Sequence, residues 1–530
     1  MGGKMGIPSR RFGLLLGAIL LIGAAVRVPG VFWPRGAGPE GKPASYHPDE
    51  QRFIRAAATL QSTPAWGYVP GMKCHLFVVK KTVQALTGRT PDLILSIRIV
   101  SILYGLLTIL LLAFLVREAA GRDPPALFAA ALLSLAPLHG TYSHIGTADV
   151  ASLFWFLLAL FLARRYAADR SADTWTLLAA ATGACLSIKF AVPVLLPIVS
   201  LLLTDPKRGR RALQGALAGA GAFALLTLFI YRPHDFLRFL NMLAVDNVNV
   251  QEAKSAWTHL ARYGNTIFPA LGVPGALLAL GGTALLLFET PGRARARLRG
   301  TDFPGAARAI LVDPNVLWLA PFLLHLLLAL RIGVHAPRHI LPLLVPLCAA
   351  GGVAADRLTR REGARRRIAS VFLAIAGVYL AGNAVAWEVW YLEDIRADAA
   401  RWLEENRRPG ETATAFVGFS RLRGAVSVAG GEETTSRPSS DWFVTCDLEY
   451  DRYFRYDDAS RIFHAWGGQS RLDFYRELFD GRTEYREAKE FHARNWSPEQ
   501  ALVSRGIFEH LGKTVPRRCV IYRREDPAGG

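Results

Sequence analysis

Charged residues vanish from this chain over long windows and return in short clusters between them. A helix needs about 20 apolar residues to cross a hydrocarbon core of about 30 Å, so each such window is a candidate span. The first is Phe12–Trp33, preceded by Lys4, Arg10 and Arg11 and broken only by Arg27. The next are Ile99–Val116, Ala126–Leu138 and Val150–Ala163. Thr174–Ile188 and Phe190–Thr204 flank Lys189 and read as two short spans or one long one. Two spans keep the Lys207, Arg208, Arg210 and Arg211 cluster on the cytoplasmic side, as the excess of basic residues in cytoplasmic loops requires. Pro193 and Pro197 also oppose one unbroken helix. Ala212–Ile230, Thr266–Phe288, Pro314–Leu330, Ile340–Ala355 and Ile368–Trp390 follow, with basic loops at Arg293–Arg299 and Arg357–Arg367. The pattern predicts a mainly α, polytopic membrane bundle of about eleven helices, with the N-terminus cytoplasmic. The first span lacks a small-residue cleavage site and reads as a retained helix.

Two segments between spans are polar. Residues 34–92 suit an external loop with short interfacial helices, and Tyr231–Arg262 has an amphipathic stretch suited to the bilayer surface. From Leu392 onward acids, arginines and aromatics mix, and no apolar window is long enough to span. This divides the chain into a transmembrane domain, 1–390, and a soluble domain, 391–530, on the extracytoplasmic side. In the soluble domain, Ala397–Asn406 and Arg471–Phe479 read as helices, and Thr412–Phe419, Trp442–Cys446 and Cys519–Tyr522 as strands, giving a small α/β or α+β unit.

Composition agrees, with 51% hydrophobic and 20% charged residues. A net charge of +19 would suggest nucleic acid in a soluble protein, but the basic residues here sit in loops between spans. Anionic lipid headgroups are the indicated partner, and nucleic acid is not. The five cysteines form no C-x-x-C pair, which excludes zinc-ribbon and thioredoxin motifs. Cys185 and Cys348 read as small core residues. Cys446 and Cys519 both fall in the C-terminal domain, where a disulfide is open to them only in an extracytoplasmic setting, and the sequence does not decide it.

The chemistry concentrates in Ser45–Arg55, just beyond the first span. Pro48 suits the first position of a helix, which sets Asp49 and Glu50 in the first turn, where the helix dipole favours carboxylates. Arg52 and Arg55 share one face of that helix. Acids begin helices in many proteins, and the membrane setting is what singles these out. The predicted topology brings Asp49, Glu50, His144, Asp149, Arg338 and His339 to one membrane face, and ionisable residues at the mouth of a bundle mark substrate paths. Each also has a plainer role: an N-cap for Asp149, a loop hydrogen bond for His144, a snorkelling anchor for Arg338. Lys189 sits in an outer turn, where anchoring and ligand binding are equally open. Lys73, Lys80 and Lys81 belong to the first external loop. His47, Asp49 and Glu50 are three adjacent donors that leave a divalent metal open as a cofactor; no metal ligand is assigned. Walker A and His-Glu-x-x-His motifs are absent. The Gly219–Ala224 stretch lies in an apolar span and reads as close helix packing, supported by Gly215-x-x-x-Gly219.

Tyr46-His-Pro-Asp49-Glu50, Tyr142-Ser-His144-Ile-Gly-Thr-Ala-Asp149 and Pro337-Arg338-His339-Ile-Leu-Pro342-Leu-Leu-Val-Pro346 together resemble the GT-C superfamily of membrane glycosyltransferases. The similar branch contains protein O-mannosyltransferases and lipid A aminoarabinose transferases, and the resemblance covers roughly the first 390 residues. It implies transfer of a sugar from a polyprenyl-phosphate carrier to a glycan, lipid or protein hydroxyl on the extracytoplasmic face. It assigns Asp49 as the catalytic base, with Glu50 beside it and Asp149 as the second-loop acid. His47, Arg52, His144, Lys189, Arg338 and His339 are the candidate substrate contacts, Arg338 first among them for the donor phosphate. The C-terminal domain names no acceptor. The alternative reading is a transporter or flippase of lipid-linked sugars, and a non-catalytic scaffold is a third.

Overall fold

The computed structural model of the protein describes residues 9–33, 50, 53–54, 57, 71–189, 192–227, 256–298, 314–331, 337–415, 427–428, 438–447, 450, 468–505 and 516–525. It begins with helix α1 (Arg10–Arg27), capped by Ser9, whose hydroxyl accepts from the Phe12 N–H, and passes into a 3-10 turn at Val28–Phe32. Helix α2 is Gly71–Thr87, and α3 runs over Leu93–Ala120. Asp92 starts α3 by accepting from the Ile94 and Leu95 N–H groups. Gly121 stops it in the left-handed conformation at φ 70°, which costs glycine nothing.

The third predicted span is broken. Asp123–Ser134 (α4) and Pro137–His144 (α5) meet at a 60° bend, because Pro137 cannot donate into the helix that precedes it. The stretch between the third and fourth predicted spans is therefore largely helix, and every residue of α5 is buried. Its lack of lysine and arginine reflects burial. Helix α6 (Ala148–Asp169) follows, then α7 (Ala172–Ile188), a 3-10 turn at Val192–Val194, α8 (Leu195–Leu203) and α9 (Arg208–Leu226). The expected division around Lys189 is present.

The expected surface segment Tyr231–Arg262 lies mostly outside the described residues, which resume with α10 (Ala256–Leu271). The eighth predicted span thus splits between α10 and α11 (Val273–Leu298) at Gly272, φ 69°, where a Cβ would strike Leu380 and press on Asn383. Helix α12 is Pro314–Arg331, a 3-10 turn occupies Pro337–Ile340, and α13 (Leu341–Thr359) and α14 (Gly363–Leu392) complete the bundle. Among the described residues, five helices are long and apolar enough to cross a bilayer, and the bent α4–α5 pair would make six. The expectation of about eleven spans counted shorter segments, such as Val273–Phe288 and Leu319–Leu330.

Small residues let these helices approach closely. Gly183 of α7 packs on the Gly219 carbonyl of α9, and Gly282 of α11 on the Ala350 carbonyl of α13, with no room for a Cβ at either glycine. This is the close packing expected of the Gly215–Ala224 stretch. The core joins Phe12, Leu112, Leu133, Leu157, Leu344 and Trp387 from six helices.

The C-terminal domain adds α15 (Ile395–Asn406), β1 (Ala413–Ala415), β2 (Ser427–Val428), β3 (Trp442–Cys446), α16 (Gly468–Phe479), β4 (Tyr485–His492), α17 (Pro498–Ser504) and β5 (Arg518–Arg524). The sheet order is β2-β1-β3-β5-β4, parallel from β2 through β3 and antiparallel from β3 through β4. Alternate residues of the central strands feed two cores. Trp442, Val444 and Cys446 meet Ile395, Ala399 and Leu403 of α15, while Phe443 and Val520 meet Leu472, Tyr475 and Leu478 of α16. The result is a three-layer α/β unit. Helix α17 docks it on the bundle: buried Glu499 accepts from the Val273 N–H (3.0 Å) and the Tyr379 hydroxyl (2.7 Å), and Gln500 donates to the Ala386 carbonyl (2.9 Å).

Candidate functional site

Glu50 is fully buried, and a buried carboxylate needs a partner. Arg98, in the first turns of α3, supplies a planar fork: its Nε donates to Oε1 at 2.8 Å and its Nη2 to Oε2 at 2.9 Å. The Gly146 N–H adds a third bond to Oε1 at 2.7 Å. Arg98 Nη1 donates in turn to the carbonyls of Val31 and Trp33, and the guanidinium lies over the Trp33 ring. One ion pair therefore fastens together the end of α1, the first acidic motif, the start of α3 and the turn between α5 and α6. Both oxygens of Glu50 are engaged in this fastening, which suits a positioning role.

Three residues beyond Gly146, Asp149 stands in the first turn of α6, buried. Lys189 closes α7 in extended backbone and places Nζ 2.6 Å from Asp149 Oδ1. The lysine side chain is 35% exposed and the aspartate 3%, so the pair opens on the lysine side. Asp149 Oδ2 has no hydrogen-bond partner among the described residues. The 3-10 turn at the head of α13 carries Arg338 and His339, both half-buried. The charge of Arg338 reaches Asp149, and His339 lies within the field of Asp149, Lys189 and Arg338. His325 Nε2 donates to the His339 carbonyl at 2.8 Å, and the Tyr263 hydroxyl is 3.4 Å from His339 Nδ1. Asp149, Lys189, Arg338 and His339, distant in sequence, thus form one neighbourhood.

His144 ends α5 fully buried, its Nδ1 3.0 Å from Glu388 Oε2 of α14 and its ring edge-on to Tyr391. Beside it, Arg27 donates to the Gly23 and Ser134 carbonyls, and its Nη2 is 2.8 Å from His139 Nδ1. His47, Asp49 and Arg52 lie outside the described residues. Among the described residues, no three His, Cys, Asp or Glu side chains gather as a metal site.

Sequence reasoning missed Arg98, Glu388, Tyr263 and His325. Glu388 carried a signal, an acid inside an apolar window, which marks function or pairing by default. Arg98 directly precedes the second predicted span, where a basic residue reads as an interfacial anchor. An apolar groove of about 510 Å³ opens beside this region between α2, α3 and α9, lined by Val78, Val100, Leu103, Tyr104 and Leu225. His75 borders it, 3.3 Å from the Tyr104 hydroxyl, and burial pushes its imidazole down to about 4.

Residues 82–232 match the family model of dolichyl-phosphate-mannose-protein mannosyltransferases. No curated protein matches the sequence. Among solved structures, the archaeal oligosaccharyltransferase AglB from Archaeoglobus fulgidus, in complex with an inhibitory peptide and a dolichol-phosphate, aligns at 12% identity. That alignment covers 97% of this chain and 88% of that one, with a TM-score of 0.51. ArnT from Cupriavidus metallidurans, bound to undecaprenyl phosphate, aligns at 15% identity over 99% of this chain and 100% of its own, with a TM-score of 0.50. The fold is that of the GT-C membrane glycosyltransferases. The chain resembles the branches of the protein O-mannosyltransferases and the aminoarabinose transferases, and it is a membrane protein.

Proposed function

We propose that this protein transfers a sugar from a polyprenyl-phosphate-linked donor to a hydroxyl acceptor on the extracytoplasmic face, with inversion at the anomeric carbon. The observation that carries the reading is the bond from Gly146 to Glu50, which joins the first acidic motif to the turn that delivers Asp149. An acceptor hydroxyl is a poor nucleophile at neutral pH, so a carboxylate must take its proton as the new bond forms. Asp49, next to the anchored Glu50, has that role. The leaving lipid phosphate gains negative charge in the transition state, and fixed cations in a partly dry site stabilise it more than the ground state. Arg338 and the half-open Lys189, held by Asp149, are suited to it. Base and leaving group on opposite sides of the anomeric carbon give a single inverting displacement.

The bound lipid phosphates of AglB and ArnT support this donor class, and the apolar groove beside α3 offers a surface for a polyprenyl tail. The test is purified protein in lipid nanodiscs, given a panel of polyprenyl-phosphate sugars and envelope lipid or peptide acceptors. A new glycosidic bond and released polyprenyl phosphate are expected. In proteoliposomes, movement of intact donor across the bilayer with no bond broken would establish the flippase reading instead.

A further inference from the structure

The antiparallel pairing of β3 with β5 sets Cys446 directly opposite Cys519. Hydrogen bonding shows which kind of cross-strand pair this is. The Arg524 N–H donates to the Asp441 carbonyl at 2.8 Å, so residues 441 and 524 form a hydrogen-bonded pair. The register then runs without a shift to Cys446, and pair types alternate along it. Phe443–Tyr522 and Thr445–Val520 are hydrogen-bonded pairs; Val444–Ile521 and Cys446–Cys519 are not. In the second type the Cα atoms stand about 4.5 Å apart and the side chains come closest, within the roughly 4.4–6.8 Å that a disulfide bridges. Both thiols enter the same core against Ile395, Ala399 and Leu403, both are fully buried, and they are close enough to share a hydrogen bond. Neither touches the candidate site.

We propose that Cys446 and Cys519 are a modification site, closed in the protein's working state as a disulfide between the two central strands of the C-terminal domain. The inference rests on the reading that this domain faces the extracytoplasmic side, where thiols are oxidised. Two S–H bonds are lost and one S–S bond is made; two electrons and two protons pass to the disulfide of an envelope dithiol–disulfide oxidoreductase, which leaves as its dithiol. One cysteine thiolate attacks that disulfide, and the other resolves the mixed disulfide. Burial pushes the Cys519 thiol well above its ordinary value, so exchange belongs to the opening or folding domain, and the closed bond is shielded afterwards. The bridge closes a long loop that contains α16, β4 and α17, the geometry in which a cross-link most restricts the unfolded chain.

The experiment takes full-length protein from cells, alkylates free thiols in denaturant before any reduction, and digests it for mass analysis. A peptide pair linked through Cys446 and Cys519 is expected, with a melting transition of the C-terminal domain on the order of 10 °C lower after reduction. A Cys446→Ala protein should show no such shift. The second arm treats purified, reduced protein with oxidised glutathione in sub-denaturing urea. Free thiols from cells that close in this arm would overturn the proposal together with the assigned side. Thiols that stay open in both arms would overturn the proposal through its strand geometry and leave the assigned side untouched. An Arg482→Cys reporter, at an exposed position, labelled with a membrane-impermeant maleimide in a Cys446→Ala/Cys519→Ala background, then reports the side independently.

Discussion

Replacing Arg98 by methionine removes the cation from the most completely buried ion pair near the site and leaves the shape of the side chain roughly intact. Glu50, fully buried, would keep only the Gly146 N–H from the three bonds described here. Breaking one partner of such a pair costs about 3–5 kcal/mol. The Val31 and Trp33 carbonyls lose a charged donor as well, at about 1–3 kcal/mol for a group left unsatisfied. A loss of roughly 5 kcal/mol approaches the whole stability of many domains. Adding Glu50→Leu removes the stranded carboxylate, so the double variant should regain about 2–4 kcal/mol over Arg98→Met. The assay is a double-mutant cycle by reversible unfolding in mixed micelles. Glu50→Leu alone strands the buried Arg98 at a similar cost of about 3–5 kcal/mol, so a coupling of about 5 kcal/mol or more is expected; effects that add to within about 0.5 kcal/mol would refute the fastening role of the pair.

Lys189→Met strands Asp149 and, in the proposed reaction, takes a cation from the donor phosphate; turnover should fall on the order of 10²–10³-fold, with Lys189→Arg recovering part of it. Steady-state kinetics with a polyprenyl-phosphate sugar measures this. Glu499→Ala removes the acceptor that Val273 and Tyr379 share, and limited proteolysis should cut between α14 and the C-terminal domain at least about tenfold faster. In that domain, bonds from the Arg408 N–H and Trp442 Nε1 hold Glu411 below the usual carboxylate range, and bonds from the Thr412 N–H and hydroxyl do the same for Asp441. Depressed values mean stability that is full above the ordinary value of about 4 and is lost as pH falls through the folded one. The melting temperature of the domain should therefore hold from pH 7 to about 5 and drop below about 4, with a smaller drop in Asp441→Asn.

Apolar windows made the order of the helices legible, because a bilayer-length helix declares itself by composition alone. They failed where burial came from protein. Helix α5 contains two histidines, a tyrosine and small polar residues, and reads as a loop until Pro137 is seen to bend the chain back into the bundle. Strand β3 was legible as an apolar run buried on both faces. Strand β4 was not, since Tyr485–His492 forms the edge of the sheet and needs few apolar residues. At the site, the approach of Asp149 to Lys189 and Arg338 was legible in the predicted topology, which set them on one face of the bundle. The bridge from Glu50 through Arg98 was not, because pairing between helices far apart in sequence leaves no spacing to read.

The most direct test of the central claim is the rate of sugar transfer by Asp49→Asn beside its affinity for the same polyprenyl-phosphate sugar. Removing a general base should lower turnover about 10²–10⁴-fold while donor binding stays within a few fold of the original protein. Transfer at an undiminished rate in Asp49→Asn would contradict the account.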